Sequence, residues 1–231
     1  MSMKRLILTI VAVCFWFIGT AAKPHSDNRT KVLLKTDKGN ITIALYDETP
    51  LHKANFIKLV NEHFYDGILF HRVIKDFMIQ TGDPNSRNAS AETRLGDGGP
   101  GYTIPAEIVF PKIFHKRGAI AAARKGDMVN PQKNSSGSQF YIVWGSTFSS
   151  EELNKLTQAV EQRSRGTVKF TDEIKKEYLK TGGTPHLDGG YTVFGEVIEG
   201  LSVVGKIQEV RTDNTDRPFN DIRIITAEII K

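Results

Sequence analysis

The sequence predicts a mainly β protein: an antiparallel barrel with two flanking helices and a helical hairpin inserted between two of its strands. Three observations carry this reading. Short apolar runs recur between turns rich in Gly and Asp. Outside residues 146–183, only two segments of the mature chain have the apolar spacing of a helix. Ser146 to Gly183 alone is charged, capped and amphipathic over two consecutive stretches.

The elements follow in order. Lys31 to Thr36 and Asn40 to Tyr46 read as two strands joined by the turn Asp37-Lys38-Gly39. Thr49-Pro50 opens a helix with Thr as N-cap and Pro at its first position, and Leu51, Ala54, Ile57 and Val60 follow at helical spacing. Tyr65-Asp66-Gly67 is a turn. Ile68 to Ile74 and Phe77 to Thr81 are strands around Lys75-Asp76. Gly82 to Gly101 is a long Gly-rich, polar stretch, within which Gly96 to Gly101 reads as a flexible loop. Gly118 to Ala123, Gln139 to Trp144 and Tyr191 to Val197 are further strands, Leu201 to Gln208 is a short helix, and Ile222 to Ile230 is the last strand. In the insert, Ser149 and Glu152 form a capping box ahead of Leu153, Leu156 and Val160. Asp172 and Glu173 open a second helix carrying Ile174, Tyr178 and Leu179, and Gly182-Gly183 ends it.

Residues 1–22 read as a secretory signal peptide. Lys4 and Arg5 form a basic start, Leu6 to Ile18 is a largely apolar run, and Gly19 to Ala22 are small. The run is short for a membrane span, which takes roughly 20 residues. The expectation is a periplasmic or otherwise extracytoplasmic protein. The alternatives are an uncleaved anchor or a lipoprotein modified at Cys14. Residues 23–30 form a polar linker and 31–231 the folded domain. Four Asn-x-Ser/Thr sequons, at Asn28, Asn40, Asn88 and Asn134, carry no weight because the pattern is common by chance.

Composition narrows the function. Among 231 residues, 39% are hydrophobic and 25% charged, and 13 Phe suffice for a core. The single Cys excludes a disulfide scaffold and a Cys-based zinc site. The formal charge is +5; loss of the leader removes two of 31 basic residues and none of 26 acids, leaving +3. The basic residues are scattered, which argues against nucleic-acid binding. Gly96 to Gly101 satisfies G-x-G-x-x-G, but no apolar strand precedes it and Pro100 sits where a helix should run. The six His form no zincin pair, and Gly137-Ser138-Gln139 lacks the second Gly of a nucleophile elbow. No metal or organic cofactor is expected.

What remains is polar residues set in apolar strands. Arg72 interrupts Phe70-His71-Arg72-Val73-Ile74, Gln80 ends Phe77-Met78-Ile79-Gln80, and Gln139 precedes Phe140-Tyr141. Alternation would send Phe70, Arg72 and Ile74 to one face and His71 to the other. An Arg on a half-buried strand is costly unless paired, although it could equally snorkel from a barrel face.

These residues resemble the signature of the cyclophilins, the peptidyl-prolyl cis-trans isomerases. The similar motifs are Phe70-His71-Arg72-Val73-Ile74-x-x-Phe77-Met78-Ile79-Gln80-x-Gly82-Asp83, Gly98-Gly99-Pro100-Gly101-Tyr102, Ser136-Gly137-Ser138-Gln139-Phe140, Leu187-Asp188-Gly189 and Val193-Phe194-Gly195. They run in order from about Lys31 to Lys231, the insert excepted, and the extracytoplasmic leader resembles the bacterial branch. The resemblance implies a closed eight-stranded barrel with two capping helices. It implies catalysis of X-Pro isomerisation without a nucleophile, with Arg72 as hydrogen-bond donor to the prolyl nitrogen and Gln80 orienting it. Phe77, Met78, Tyr141 and Leu187 match the apolar cup for the proline ring. Gln139 and the backbone at Ala123 and Arg124 match positions that hold the flanking peptide, and Gly96 a Gly lining a side pocket.

Four positions depart from the commonest family pattern. Tyr141 stands for Phe, and its hydroxyl is expected either to leave the cup or to compete for Arg72. Arg124 stands for Asn and adds charge at the groove. His186 stands for Trp, which implies weak cyclosporin binding, and Tyr191 stands for His. His71 and Asp83 are expected to be structural. The partners implied are proline-containing unfolded polypeptides; nucleic acid is not implied, and membrane only if the chain is lipidated or uncleaved. The alternative to an isomerase is a peptide-binding or chaperone module with little turnover. The insert is expected to form a flap beside the groove that supplies no catalytic group.

Overall fold

The computed structural model describes residues 28–231. The leader, Cys14 and residues 23–27 of the linker lie outside the described residues. Strands β1 (Lys31–Thr36) and β2 (Gly39–Leu45) form the expected hairpin, with Thr36 opposite Gly39. The second strand starts one residue early because Gly39, at φ +127°, joins the ladder rather than the turn.

Helix α1 (Pro50–Asn61) has Pro at its start, but Thr49 makes no side-chain cap bond. Glu107 caps it instead, accepting from the backbone N–H of Leu51 (3.0 Å) and His52 (2.9 Å). The buried face is His52, Phe56, Leu59 and Val60, whereas Leu51 is half exposed. Phe56 sets that rotation, since its ring meets Tyr65, Phe140 and Phe194.

The remaining strands are β3 (Arg72–Ile74), β4 (Met78–Thr81), β5 (Thr103–Ile104), β6 (Ala119–Ala122), β7 (Ser135–Ser136), β8 (Phe140–Val143), β9 (Val193–Glu199) and β10 (Ile224–Ile230). Eight of them build one curled sheet in the order β10-β1-β2-β9-β6-β8-β4-β3, and β5 pairs with β7. The two-residue strands β5 and β7 are too short for any periodicity to reveal.

The expected closed barrel is not what forms: the sheet is open, with β3 and β10 as its edges. The reason is local. Residues 68–71, read as part of a strand, contribute only an isolated bridge from Leu69 to Arg223, leaving β3 three residues long. Backbone bonds stitch the gap beside it, from Phe70 N–H to the Ile222 carbonyl and from Ile224 N–H to the Ile68 carbonyl, both 2.8 Å.

Alternation divides the sheet into two apolar faces. The inner face holds Ile41, Ile43, Ile79, Ile120, Phe140 and Ile142, and is filled by Phe56 and Leu59 of α1 and Val203, Val204 and Ile207 of α4 (Leu201–Gln208). The outer face holds Met78, Ala119, Ala121, Tyr141, Val143 and Val193, with Phe77, Leu187 and Tyr191 packed against them.

The insert is a helical hairpin as expected: α2 (Ser150–Arg163) and α3 (Asp172–Thr181). The capping box is formed, with Ser149 N–H donating to Glu152 at 2.8 Å and Glu152 N–H donating to the Ser149 hydroxyl at 3.3 Å. The hairpin leaves and returns at one point, where Gly183 bridges both Ser146 and Lys116. Its own cluster of Leu153, Val160, Val168, Phe170, Ile174 and Tyr178 packs with Phe110, Phe114 and Phe148. Leu179, expected on the packed face, is exposed.

Candidate active site

Strand register builds the site. Arg72 on β3 lies opposite Gln80 on β4, Gln80 opposite Tyr141 on β8, and Tyr141 opposite Ala121 on β6. Directly opposed residues share a face, so this row crosses the outer face beside Met78. Phe70, expected beside Arg72, is buried on the inner face instead, because the strand begins only at Arg72.

A cavity of about 820 Å³ opens over the row. Arg72, Phe77, Met78, Gln80, Gly96, Ala123, Arg124, Tyr141, Leu187 and Tyr191 line it. A second cavity, of about 660 Å³, shares Gln80, Gly96, Ala123 and Arg124 with it and adds Gln139. The structure thus brings eleven of the twelve expected residues to one continuous groove. The exception is His186, which lines neither cavity and whose ring lies 5.5 Å from that of Phe77.

Arg72 is half exposed, and its Nε donates to Asp216 at 3.2 Å. Among the described residues its two Nη groups have no hydrogen-bond partner. Gln80 does not orient it as the resemblance implies: no hydrogen bond joins the two side chains among the described residues. The Gln80 amide donates to Gln139 Oε1 at 2.9 Å. Asp216, 144 positions along the chain, holds the guanidinium instead, and nothing in the local sequence signals it.

Gln139 is also used differently from expectation. It is buried, and its amide donates to the carbonyls of Gly96 (2.8 Å) and Gly98 (2.7 Å). With Gln80 on its oxygen, its amide hydrogens and one lone pair are engaged inside the protein. Asp83, fully buried, grips the same stretch: its carboxylate accepts from the backbone N–H of Asn85 (2.8 Å), Gly96 (2.6 Å) and Gly98 (3.2 Å). A Cβ on Gly98 would lie 2.0 Å from Asp83 Oδ1, so only glycine permits this contact. The Gly-rich loop is therefore pinned into the groove wall rather than left flexible.

The four departures find their places. The Tyr141 hydroxyl turns away from Arg72 and meets His115 Nε2 at 3.1 Å. Burial pushes its phenol well above the ordinary range, so it stays protonated. Arg124 does not leave a free charge at the groove. It pairs with Asp127 at 2.7 Å, donates to the Gly190 carbonyl at 2.7 Å and stacks over Tyr191 at 4.4 Å. Tyr191 in turn meets Tyr141 edge-on at 6.0 Å. The His186 carbonyl accepts from Arg163 of the insert at 3.0 Å.

His71 lines the main cavity beneath Gly96, not the opposite face. It is 4% exposed, and neither ring nitrogen has a hydrogen-bond partner among the described residues. Burial lowers its pKa to about 4, outweighing the opposing pull of Asp83. It is thus neutral between pH 6 and 8, and arginine carries its charge throughout that range, so turnover should be flat there. Stability should not be flat below it. The unfolded imidazole binds a proton near pH 6.5 and the folded one only near 4, so the stabilisation is complete above 6.5 and is lost as pH falls to 4. The loss is on the order of 3 kcal/mol. Denaturant unfolding of wild type and His71→Leu at pH 7 and 4 checks this; parallel pH dependence in the two proteins contradicts it.

No three His, Cys, Asp or Glu side chains are grouped to hold a metal among the described residues. Sequence reasoning left three further groups unassigned: Asp216, and the buried pair His115 and Asp188. Asp188 was visible in Leu187-Asp188-Gly189, but nothing there gives its partner.

Comparison with known proteins agrees with this geometry. The family model "Cyclophilin type peptidyl-prolyl cis-trans isomerase/CLD" matches residues 31–229. A Staphylococcus saprophyticus protein bearing a peptidyl-prolyl cis-trans isomerase name is 34% identical over 207 residues, covering 88% of this chain and 93% of that protein. A Streptococcus pyogenes protein named for both phosphatase and prolyl isomerase functions is 36% identical over 202 residues; the match covers 86% of this chain and 38% of that protein. The Cryptosporidium parvum cyclophilin structure shares the fold, with a TM-score of 0.63 at 24% identity, covering 88% of this chain and 98% of that one. A curled eight-stranded sheet, a groove over its outer face and a family match across nearly all the described residues converge: the chain belongs to the cyclophilin-type peptidyl-prolyl cis-trans isomerases.

Proposed function

We propose that the chain accelerates cis-trans isomerisation of X-Pro bonds in unfolded polypeptides, with Arg72 stabilising the twisted amide. The observation that carries this is Arg72 in the same cavity as the apolar side chains of Phe77, Met78, Tyr141 and Leu187, held at Nε by Asp216 and with both Nη groups unengaged among the described residues.

The chemistry needs no more. An X-Pro bond rotates over a barrier of about 18–20 kcal/mol because amide resonance must be broken. Once twisted, the prolyl nitrogen has its lone pair back and accepts a hydrogen bond. A donor aimed there binds the twisted state better than either planar one, which is the condition for lowering the barrier. Guanidinium suits the task because it presents several donors in a rigid plane, so Asp216 can hold one edge while another faces the substrate. Phe77, Met78, Tyr141 and Leu187 supply the apolar cup for the ring. The backbone of Ala123 and Arg124 borders the path of the flanking chain, and Gly96 leaves the side cavity open.

Lys4, Arg5 and the run Leu6 to Ile18 support export, and hence clients that fold outside the cytoplasm. Intact full-length chain in the cytosol would refute that part. The isomerase reading is tested with a protease-coupled assay on an Xaa-Pro tetrapeptide. The slow phase from the cis fraction should shorten in proportion to added protein; a slow phase unchanged at micromolar protein sinks the reading.

A further inference from the structure

We propose that Tyr178, on the inserted hairpin, is a positioning residue for the proline cup. Its hydroxyl holds Asp188, Asp188 fixes His115, and His115 fixes Tyr141. The inference deepens the isomerase reading and rests on it for the cup.

Four buried polar groups from four separate segments form one chain. The Tyr178 hydroxyl donates to Asp188 Oδ2 at 2.6 Å. Asp188 Oδ1 accepts from the His115 backbone N–H at 2.9 Å and lies 2.7 Å from His115 Nδ1. His115 Nε2 lies 3.1 Å from the Tyr141 hydroxyl, and the two rings stack at 6.2 Å. Exposure is 0% for Tyr178, 1% for His115 and 5% for both Asp188 and Tyr141. Tyr141 is the only one of the four that lines the cavity.

The direction of each bond follows from donor chemistry. A carboxylate only accepts, so the proton between Asp188 and His115 sits on Nδ1. With Nδ1 carrying the ring's one proton, Nε2 is an acceptor and the Tyr141 hydroxyl donates to it. The Asp188 charge therefore selects the tautomer, and the tautomer selects where the Tyr141 hydroxyl points. That holds the phenol away from Arg72 and fixes the ring that floors the cup. Burial raises the Tyr178 phenol well above its usual range, so it remains the donor that Asp188 needs.

The insert reaches the cup wall by a second route. Arg163 of α2 donates to the His186 carbonyl, one residue before Leu187. Val168 packs against Gly189, where an added Cβ would meet its Cγ2 at 2.2 Å. No residue of 146–183 lines either cavity. The hairpin thus braces the cup through His186 and Gly189 and does not line the groove as the expected flap beside it would. Apolar packing alone would hold a brace in place at lower desolvation cost; a directional polar chain ending on Tyr141 does what packing cannot, selecting one hydroxyl direction and one ring position.

The test is a double-mutant cycle read by affinity. Tyr178→Phe removes one oxygen and keeps the ring. Titration calorimetry with an Xaa-Pro tetrapeptide is run on wild type, Tyr178→Phe, Tyr141→Phe and the double variant. Tyr178→Phe should weaken binding about five-fold, the order of one net hydrogen bond. It should cause no further loss once Tyr141 is Phe. The His115 Nε2 nitrogen resonance should move in both single variants. Equal losses in both backgrounds, unchanged affinity with only a lower melting temperature, or an unmoved resonance overturns the proposal. Should Tyr178→Phe fail to fold, Asp188→Asn replaces it in the same cycle with the same expected outcomes. Turnover on the same samples keeps the two claims apart. Wild type that binds the peptide without accelerating isomerisation refutes the isomerase reading, and the cycle still decides the network. Turnover with additive losses refutes the network alone.

Discussion

Replacing Arg72 with alanine is expected to lower kcat/KM on an Xaa-Pro peptide by about 10²–10³, the usual cost of removing one transition-state donor. The fold should survive. Arg72 is half exposed and its one charged partner, Asp216, is equally so. An exposed pair of this kind contributes at most about 1 kcal/mol. Lysine should restore little: its three donors share one nitrogen, so it lacks the rigid fork that lets Nε hold Asp216 while separate Nη groups reach the groove. Kinetics beside a thermal melt check both halves. Near-normal kcat/KM in a folded Arg72→Ala protein would remove Arg72 from the mechanism.

Asp83→Ala should carry the largest stability effect outside the apolar core. One fully buried carboxylate accepts three backbone N–H groups, two of them from the groove wall at Gly96 and Gly98. Hydrogen bonds to a charged group contribute about 1.5–3 kcal/mol each. Removing the acceptor also leaves three part-buried donors without their partner. Because the losses overlap, the expected total is about 3–5 kcal/mol. Asp83→Asn should lose less, since one acceptor oxygen remains. Denaturant unfolding measures the loss, and hydrogen exchange at the Gly96 and Gly98 amides locates it. A loss below about 1 kcal/mol with unchanged exchange would mean that the loop is held without Asp83, by Gln139 at Gly96 and Gly98 and by Arg217 at Ser90, Ala91 and Thr93.

What the sequence made legible follows from the range of the forces involved. β1, the α4 helix and the capping box at Ser149 lie where local periodicity and capping placed them, because short-range chemistry decides them. The face of α1 was misread because Phe56 selects it through distant aromatic partners. The barrel was expected closed because residues 68–74 read as one strand; tertiary bonds at Leu69 and Phe70 divide it.

The site shows the same division. The family resemblance implied Arg72, the cup and Gly96 at one site, and the structure brings them to one groove. The resemblance misassigned the support, since Gln80 and Gln139 bond each other and the Gly-rich loop while Asp216 holds Arg72. Side-chain hydrogen bonds between residues far apart in the chain leave no periodic trace. Tyr178 illustrates this most clearly: it reads as one apolar position of an amphipathic helix, yet its hydroxyl ends on Asp188.

Two-dimensional exchange NMR on an Xaa-Pro tetrapeptide tests the central claim most directly, because it reports interconversion and binding on one sample. Uncatalysed exchange takes tens to hundreds of seconds and gives no cross-peaks between cis and trans prolyl signals on a one-second mixing time. With catalytic amounts of wild type, cross-peaks should appear. With Arg72→Ala they should vanish while the peptide still binds with nearly unchanged affinity, as expected of a group that acts chiefly on the twisted state. Binding by wild type without cross-peaks, or equal cross-peaks from both proteins, would contradict the account.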